Sequence, residues 1–126
     1  MVQKIAVEGF DAFVEAVEPF KASGKPVFVL FSGSKTSGGV SWCPDCVTAE
    51  PVVKGAVDKA APEDAVFIYV GVGGRDFWKD PNCVFRTDAR TKLKSVPTLM
   101  KYGTAQRLEE EQCAKADMVE MLFEDA

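Results

Sequence analysis

Apolar residues along the chain form two kinds of pattern, continuous runs and helix-spaced repeats. The runs at 26–31 and 65–72 are rich in Val, Phe and Ile and predict two strands buried on both faces. Apolar residues from Phe10 to about Ala22 recur at helical spacing, and Pro19 predicts that this helix bends or frays near its end. A polar stretch at 32–40, with three glycines, predicts a loop.

The rest of the chain predicts shorter elements. These are a weak strand at Ile5–Val7, a helix at 47–57 interrupted at Pro51, an irregular segment at 73–82, a short helix at 88–94, a strand at 98–102, an edge strand at 106–110 and a terminal helix at 114–123. The predicted order is β-α-β-α-β-α-β-β-α. It indicates an α/β fold of one domain, residues 1–126, whose mixed sheet is covered by helices on both faces.

Composition narrows the function classes. A net charge of −4 and the lack of a Lys/Arg block argue against a nucleic-acid partner. No apolar stretch is long enough for a membrane span, and the first ten residues do not resemble a signal peptide, so we expect a cytoplasmic protein. The chain has no histidine, which excludes Ser-His-Asp and Cys-His catalysis and any imidazole-bound zinc.

The sequence Cys43-Pro44-Asp45-Cys46 is the strongest chemical signal. Two cysteines at this spacing can open and close a disulfide, which makes a two-electron redox centre. The strand and loop before them place Cys43 at a helix N-terminus, where the macrodipole favours a thiolate and proline suits the first helical position. We therefore expect Cys43 to attack and the deeper Cys46 to resolve. Asp45 disfavours the Cys43 thiolate, so it is either a redox-tuning residue or an ordinary first-turn acid.

Two other interpretations of the cysteines remain open but are disfavoured. A zinc site would need Cys83 and Cys113 to converge on the motif, yet they lack the close spacing of a second ligand pair. A permanent structural disulfide is not expected in the reducing cytosol. We therefore predict no metal site and interpret Cys83 and Cys113 as bystander thiols.

Val96-Pro97-Thr98 is the second candidate element. Proline at a strand start is commonly trans. Beside a redox Cys-x-x-Cys motif, however, we predict a cis peptide bond at Pro97 that packs against the cysteines. The backbone of Val96 would then be available for strand-like pairing with an extended substrate.

These residues resemble the thioredoxin fold and, more closely, the thioredoxin domain-containing protein 17 family of small cytosolic proteins. The resemblance covers essentially the whole chain and is carried by Gly33-Ser34-Lys35, Gly39, Ser41-Trp42-Cys43-Pro44-Asp45-Cys46, residues 49–53, residues 78–82, Val96-Pro97-Thr98-Leu99 and residues 119–123. It implies a dithiol–disulfide oxidoreductase that thioredoxin reductase reduces at the expense of NADPH, with a part in peroxidase-related redox homeostasis. The substrates it implies are a restricted subset of thioredoxin substrates: cystine and other small disulfides, nitrosothiols, persulfides and a dynein light chain.

Two departures from ordinary thioredoxin are visible. The residues between the cysteines are Pro44 and Asp45 instead of Gly-Pro, and the strand at 27–31 lacks the buried acid that helps thioredoxin deprotonate its resolving cysteine. Asp45 or a water molecule is the candidate base for Cys46. The extra loop at 34–41 either restricts access to the cysteines or is a solvated surface loop.

The prediction from sequence is thus a monomeric disulfide reductase. Trp42, Val96, Pro97 and Thr98 form the substrate surface, and Pro44 and Asp45 tune the redox potential. We expect no bound cofactor, because Gly71-Val72-Gly73-Gly74 is too short and poorly spaced for a dinucleotide fingerprint. The alternative is a redox-sensing adaptor, whose disulfide switches a partner surface.

Overall fold

A five-stranded mixed sheet is the centre of the computed structural model, which describes residues 2–124. The strands lie in the order β1-β3-β2-β4-β5, where β1 is Gln3–Glu8, β2 is Val27–Ser32, β3 is Val66–Gly71, β4 is Thr98–Lys101 and β5 is Arg107–Glu109. Strands β1, β3 and β2 are parallel, whereas β4 and β5 are antiparallel to their neighbours. This arrangement confirms the predicted mixed sheet.

The central strand β2 carries the core on both of its faces, and all six of its residues are buried. Val29 and Phe31 pack on one face with Phe13 of helix α1 (Phe10–Val17). Phe28 and Leu30 pack on the other face with helix α2 (Pro44–Ala60) and the C-terminal helix (Ala116–Glu124). The continuous apolar run of β2 therefore reflects burial between helices on both sides.

The bend predicted near Pro19 is confirmed, although the α-helix ends before the predicted limit near Ala22, and the interruption predicted at Pro51 is wrong. Helix α1 ends at Val17, and a 3₁₀ turn with Pro19 follows at Glu18–Phe20, as the predicted bend requires. Helix α2, in contrast, continues through Pro51 without interruption. Pro51 lies on the exposed side of α2, so its ring does not disturb the buried face, and the helix loses only the hydrogen bond that proline cannot donate.

The segment between β3 and β4 differs most from the prediction. The stretch predicted to be irregular contains helix α3 (Arg75–Lys79), and the next helix, α4, spans Val84–Thr87 instead of the predicted 88–94. Asp88 ends α4 because its carbonyl accepts hydrogen bonds from the amides of Thr91 and Lys92 and so forms a turn. Helices of four or five residues are too short to show a helical period in the sequence.

The terminal helix, α5, spans Ala116–Glu124 and follows a 3₁₀ turn at Glu110–Ala114. Its buried residues cover the sheet face that α2 also covers.

None of the helices within residues 2–124 combines the length and apolar character that crossing a bilayer requires.

Phe123 provides a test of this packing. Its fully buried ring lies 4.8 Å from the ring of Phe28 and 6.4 Å from that of Phe67, centroid to centroid. We expect Phe123→Ala to lower the free energy of unfolding by about 3–5 kcal/mol, because it leaves a cavity between α5 and the sheet. The measurement is urea denaturation followed by far-UV circular dichroism.

The matched control is Met121→Ala in the same helix, because the Met121 side chain is exposed. This control should change stability by no more than about 0.5 kcal/mol. Equal losses in the two variants would show that Phe123 does not anchor α5 to the sheet.

Candidate redox site

The cysteine motif forms the first turn of α2, as predicted. Strand β2 ends at Ser32, the loop at 33–42 returns the chain to the same end of the sheet, and Pro44 is the first helical residue. Cys43 is the N-cap, and its sulfur accepts a hydrogen bond from the Cys46 amide at 3.2 Å. The Cys43 sulfur therefore lies where unpaired amides and the helix macrodipole stabilise negative charge.

The two sulfurs have different environments, although both are thiols in this structure. Cys46 is completely buried, whereas Cys43 retains 5% exposure at the surface of the motif. The Cys46 sulfur accepts a hydrogen bond from the Gly33 amide at 3.3 Å. Burial, followed by the hydrogen bond with Cys43, raises the pKa of Cys46 to about 12, while Ser32 and Gly33 oppose that shift. Cys46 is thus a protonated thiol at neutral pH.

The Val96–Pro97 peptide bond is cis, which confirms that prediction. The Val96 carbonyl oxygen lies 3.7 Å from the Cys43 sulfur, so the backbone before Pro97 does face the motif. Thr98 is completely buried, and its hydroxyl donates to the Ser95 carbonyl at 2.8 Å. The structure therefore places Thr98 behind the segment 95–97, where it supports the backbone, and not at its surface.

A shallow groove of about 340 Å³ runs beside Cys43. Its walls include Trp42, Asp45 and Val96, which the sequence indicated, together with residues to which it gave no role: Trp78, Lys79, Arg86 and Lys94. The guanidinium of Arg86 lies 3.9 Å from the centre of the Trp78 ring and donates to the Trp78 carbonyl at 2.7 Å. The groove therefore presents three cationic side chains and one carboxylate next to the reactive sulfur.

Trp42 is held in place by the segment that follows β3 and by close packing on Gly33. Its indole N–H donates to the Gly73 carbonyl at 2.9 Å, and Ser34 also bonds to the backbone of Gly73. Gly33 packs so closely here that a Cβ would lie 2.8 Å from the Trp42 ring and 3.0 Å from the Cys43 Cβ. One side of the Trp42 ring therefore packs on the loop, while the residue also lines the groove.

The loop at 34–41 has its own backbone structure. Lys35 and Ser41 form an isolated antiparallel bridge, and the Thr36 amide donates to the Val40 carbonyl at 2.8 Å. The hydroxyl of Ser41 accepts from the Cys43 amide at 3.2 Å. The loop is therefore connected to the motif through Ser41, while its residues 35–40 are exposed to solvent.

Glu50 is the residue that the sequence analysis missed. It is only 9% exposed, and its carboxylate accepts hydrogen bonds from the Ser32 hydroxyl at 2.7 Å, the Lys35 ammonium at 3.1 Å and the Tyr69 hydroxyl at 3.0 Å. Burial alone would raise the pKa of Glu50, but these three donors outweigh it and hold the pKa below its ordinary value. A signal was present, because Glu50 follows Cys46 by four residues and so shares its helix face.

Asp45, a candidate base for Cys46, is exposed and lines the groove. The groups that set the pKa of Cys46 are Cys43, Ser32 and Gly33, together with burial, and Asp45 is not among them. Glu50 is connected to the buried side of the motif through the Ser32 hydroxyl, which donates to its carboxylate at 2.7 Å.

The other two cysteines lie in separate parts of the core. Cys83 packs on the sheet face of α1 and α4, and Cys113 packs on the opposite face with α5. The Cys113 sulfur lies 3.4 Å from the Leu108 carbonyl oxygen, and burial raises its pKa to about 12. Within residues 2–124, His, Cys, Asp and Glu side chains form no group of three that could hold a metal ion.

Comparisons with known proteins agree with this geometry. The family model described as "Thioredoxin domain-containing protein 17-like, thioredoxin domain" matches residues 6–125. Human thioredoxin domain-containing protein 17 is 50% identical over 123 residues, which cover 98% of this chain and 96% of the human protein. The thioredoxin-like protein Clot of Oryza sativa subsp. japonica is 36% identical over 112 residues, covering 83% of this chain and 81% of the rice protein.

Solved structures show the same fold. Schistosoma mansoni thioredoxin matches with a TM-score of 0.61 and 19% identity, over 98% of this chain and 94% of that one. Oxidised thioredoxin O1 from Arabidopsis thaliana matches with a TM-score of 0.60 and 18% identity, over 96% of this chain and 98% of that one. The prediction of a thioredoxin fold is confirmed.

The environment of Cys46 predicts its reactivity. Iodoacetamide reacts with thiolates, and the Cys46 thiol loses its proton only near its raised pKa of about 12. We therefore expect no alkylation of Cys46 in the folded, reduced protein at pH 8. The measurement is a short iodoacetamide pulse followed by peptide fragmentation mass spectrometry, which separates Cys43 from Cys46.

The same pulse in guanidinium chloride is the control, and all four cysteines should then react. Alkylation of Cys46 at the same rate in the folded and the unfolded protein would contradict the buried, protonated assignment.

Proposed function

Because the chain belongs to the thioredoxin domain-containing protein 17 family, we propose that it is a disulfide reductase in which Cys43 attacks and Cys46 resolves. The observation that carries this proposal is the asymmetry of the two sulfurs. Cys43 is at a helix N-terminus, retains 5% exposure and lines the groove, whereas Cys46 is completely buried one turn away. An attacking thiolate needs access and stabilisation, whereas a resolving thiol has to stay unreactive until the mixed disulfide forms.

The proposed reaction has two exchange steps. In the first, the Cys43 thiolate attacks one sulfur of the substrate, a Cys43–substrate disulfide forms, and the other half of the substrate leaves as a thiolate. In the second, the Cys46 thiol loses its proton and attacks Cys43, a Cys43–Cys46 disulfide forms, and the second half leaves. The substrate gains two electrons and two protons, and the protein loses them.

The surface around Cys43 suits an extended or small disulfide. The Val96 carbonyl oxygen, next to Pro97, is 3.7 Å from the Cys43 sulfur and can accept from a substrate amide, while Trp42 closes the other side of the groove. Pro44 and Asp45 are the first two helical residues, so they tune the charge felt by the Cys43 sulfur. In this proposal Thr98 contributes from beneath, by holding the backbone at Ser95.

Charge in the groove supports cystine as a substrate. Lys79, Arg86 and Lys94 line the wall near the reactive sulfur, and cystine carries two carboxylates that these cations can pair with. Asp45 lies in the same groove and can accept from an ammonium group of cystine. The groove thus has the charges that an amino-acid disulfide requires.

Electrons in this proposal come from NADPH through thioredoxin reductase, with no cofactor bound to the chain itself. The family resemblance supports this route, and so does the dithiol, which can accept electrons by thiol–disulfide exchange without a flavin or nicotinamide. The protein would act as a monomer in the cytosol, where reducing conditions keep its thiols available.

The experiment that tests this function is NADPH consumption in the presence of thioredoxin reductase, cystine and the protein. Cys43→Ser should abolish consumption above background, because no other described cysteine combines a helix N-terminus with access to the groove. The matched control is Cys83→Ala, which removes a buried thiol outside the motif. This control should retain turnover within about twofold, because Cys83 does not line the groove and the loss of one sulfur leaves only a small cavity.

A second variant separates enzyme from adaptor. In Cys46→Ser, a reductase should accumulate as a Cys43–substrate mixed disulfide, because nothing resolves it. No turnover by the natural chain, in a protein whose Cys43–Cys46 disulfide still forms, would overturn the reductase proposal and favour the redox-sensing adaptor.

A further inference from the structure

We propose that Glu50, acting through the hydroxyl of Ser32, receives the proton of Cys46 during the resolving step. The proposal rests on the disulfide reduction proposed above and adds a route for its second proton. Ser32 would contact the reacting sulfur, and Glu50 would be a positioning residue that acts through Ser32. The strand that precedes the motif supplies no carboxylate, so the acid comes from α2 itself.

The first part of the argument is the connection between β2 and α2. Ser32 is the last residue of β2 and is completely buried, and the next residue, Gly33, donates its amide to the Cys46 sulfur at 3.3 Å. The Ser32 hydroxyl donates to a Glu50 carboxylate oxygen at 2.7 Å. The end of the strand and the first two turns of the helix therefore meet through two buried bonds, Gly33 to Cys46 and Ser32 to Glu50, and the Ser32 hydroxyl is also one of the groups that lower the pKa of Cys46.

The direction of the Ser32 hydrogen bond determines which way a proton can move through this contact. A serine hydroxyl has one proton, and Ser32 gives it to Glu50. The Ser32 oxygen can therefore only accept from the Cys46 S–H while that bond is kept. When Cys46 loses its proton to the Ser32 oxygen, Ser32 passes its own proton to Glu50, and the new hydroxyl proton can stabilise the Cys46 sulfur.

Glu50 is ionised at neutral pH because its donors lower its pKa, and the same donors make it a weak base, so it accepts the proton only as the Cys43–Cys46 bond forms. Lys35 and Tyr69 donate to the carboxylate at 3.1 Å and 3.0 Å, so its position does not depend on Ser32 alone. Lys35 is about half exposed and connects this site with water. A proton taken up by Glu50 can leave to solvent on that side.

Formation of the mixed disulfide favours the transfer. Burial is the largest cause of the raised pKa of Cys46, and in the reduced protein the hydrogen bond with Cys43 and the charge of Cys43 raise this pKa further. Once Cys43 is bonded to the substrate, it carries no charge, and its contribution is lost. The groups that remain beside Cys46 are Ser32 and Gly33, which both lower its pKa.

The balance of the step is complete without an added oxidant or reductant. The Cys46 proton moves to Glu50 through Ser32, the Cys46–Cys43 bond forms, and the Cys43–substrate bond breaks. The leaving thiolate takes a proton from water, and Glu50 returns its proton to water. The electron pair of the broken bond leaves with the substrate sulfur.

The test uses an aromatic disulfide, 5,5′-dithiobis(2-nitrobenzoate), in a stopped-flow reaction with the reduced full-length protein. Each half released is a coloured thiolate, so the first phase reports attack by Cys43 and the second reports resolution by Cys46. With Glu50→Gln, we expect an unchanged first phase and a second phase slowed by about 10²-fold at pH 7, the size of a lost general base. The matched control is Glu120→Gln, a remote acid on α5, which should change neither phase.

A pH profile separates proton transfer from a merely structural role. In the natural protein, the second phase should be constant above pH 5 and should fall only as the pH decreases through the lowered pKa of Glu50. In Glu50→Gln, the rate should instead increase about tenfold per pH unit, because only the thiolate formed in equilibrium with water reacts. Ser32→Ala should show the same slope, and Ser32→Thr, which keeps the hydroxyl, should restore the constant rate.

Each outcome decides the proposal. A second phase of the natural protein that itself increases tenfold per pH unit would overturn the relay without any variant, even if Glu50→Gln or Ser32→Ala fails to fold. Equal second phases in Glu50→Gln and the natural protein would also overturn it. Absence of a Cys43-dependent first phase would instead overturn the disulfide-reductase function, which is a separate result.

Discussion

The contact between the end of β2 and the start of α2 is the constraint on which the site depends. Two hydrogen bonds define it, Ser32 to Glu50 at 2.7 Å and the Gly33 amide to the Cys46 sulfur at 3.3 Å. Because β2 is buried on both faces and pairs with β3 and β4, its C-terminal end is held by packing on both faces and by strands on both sides. The first turn of the helix is therefore fixed relative to the sheet, and so is the position of each sulfur.

This constraint produces two cysteines with opposite properties from one short motif. Cys43 is the N-cap at the end of the helix and retains 5% exposure, whereas Cys46 lies one turn deeper along the helix axis and is completely buried. Cys43 faces the helix N-terminus and the groove, whereas Cys46 faces Ser32 and Gly33 and is completely buried. The proposed order of attack and resolution follows from that difference in access and charge. The motif itself has no cationic side chain, and the surrounding groove places cationic side chains beside the reactive sulfur.

Much of this was accessible from the sequence because the relevant signals are local. The long apolar run at 26–31 identifies the central strand, and the Cys-x-x-Cys spacing followed by Val96-Pro97 identifies the motif and the cis bond. The sheet order and the groove were not accessible in the same way. Helices α3 and α4 have too few residues for a period, so the positions of Trp78 and Arg86 beside Cys43 depend on tertiary packing. The burial of Glu50 was also not predictable from the sequence. A charged residue in a helix is ordinarily exposed, and the burial of Glu50 depends on hydrogen-bond donors from three other segments.

The most direct test of the account is a single turnover of the reduced protein with one equivalent of cystine, quenched in acid and analysed by intact and peptide mass spectrometry. The account predicts two cysteines released per protein, a protein mass lower by two hydrogens, and a new disulfide that maps to Cys43 and Cys46. A stable cysteine adduct on Cys43, or a disulfide that contains Cys83 or Cys113, would contradict it. Either of those results would show that the buried thiol of Cys46 does not complete the exchange.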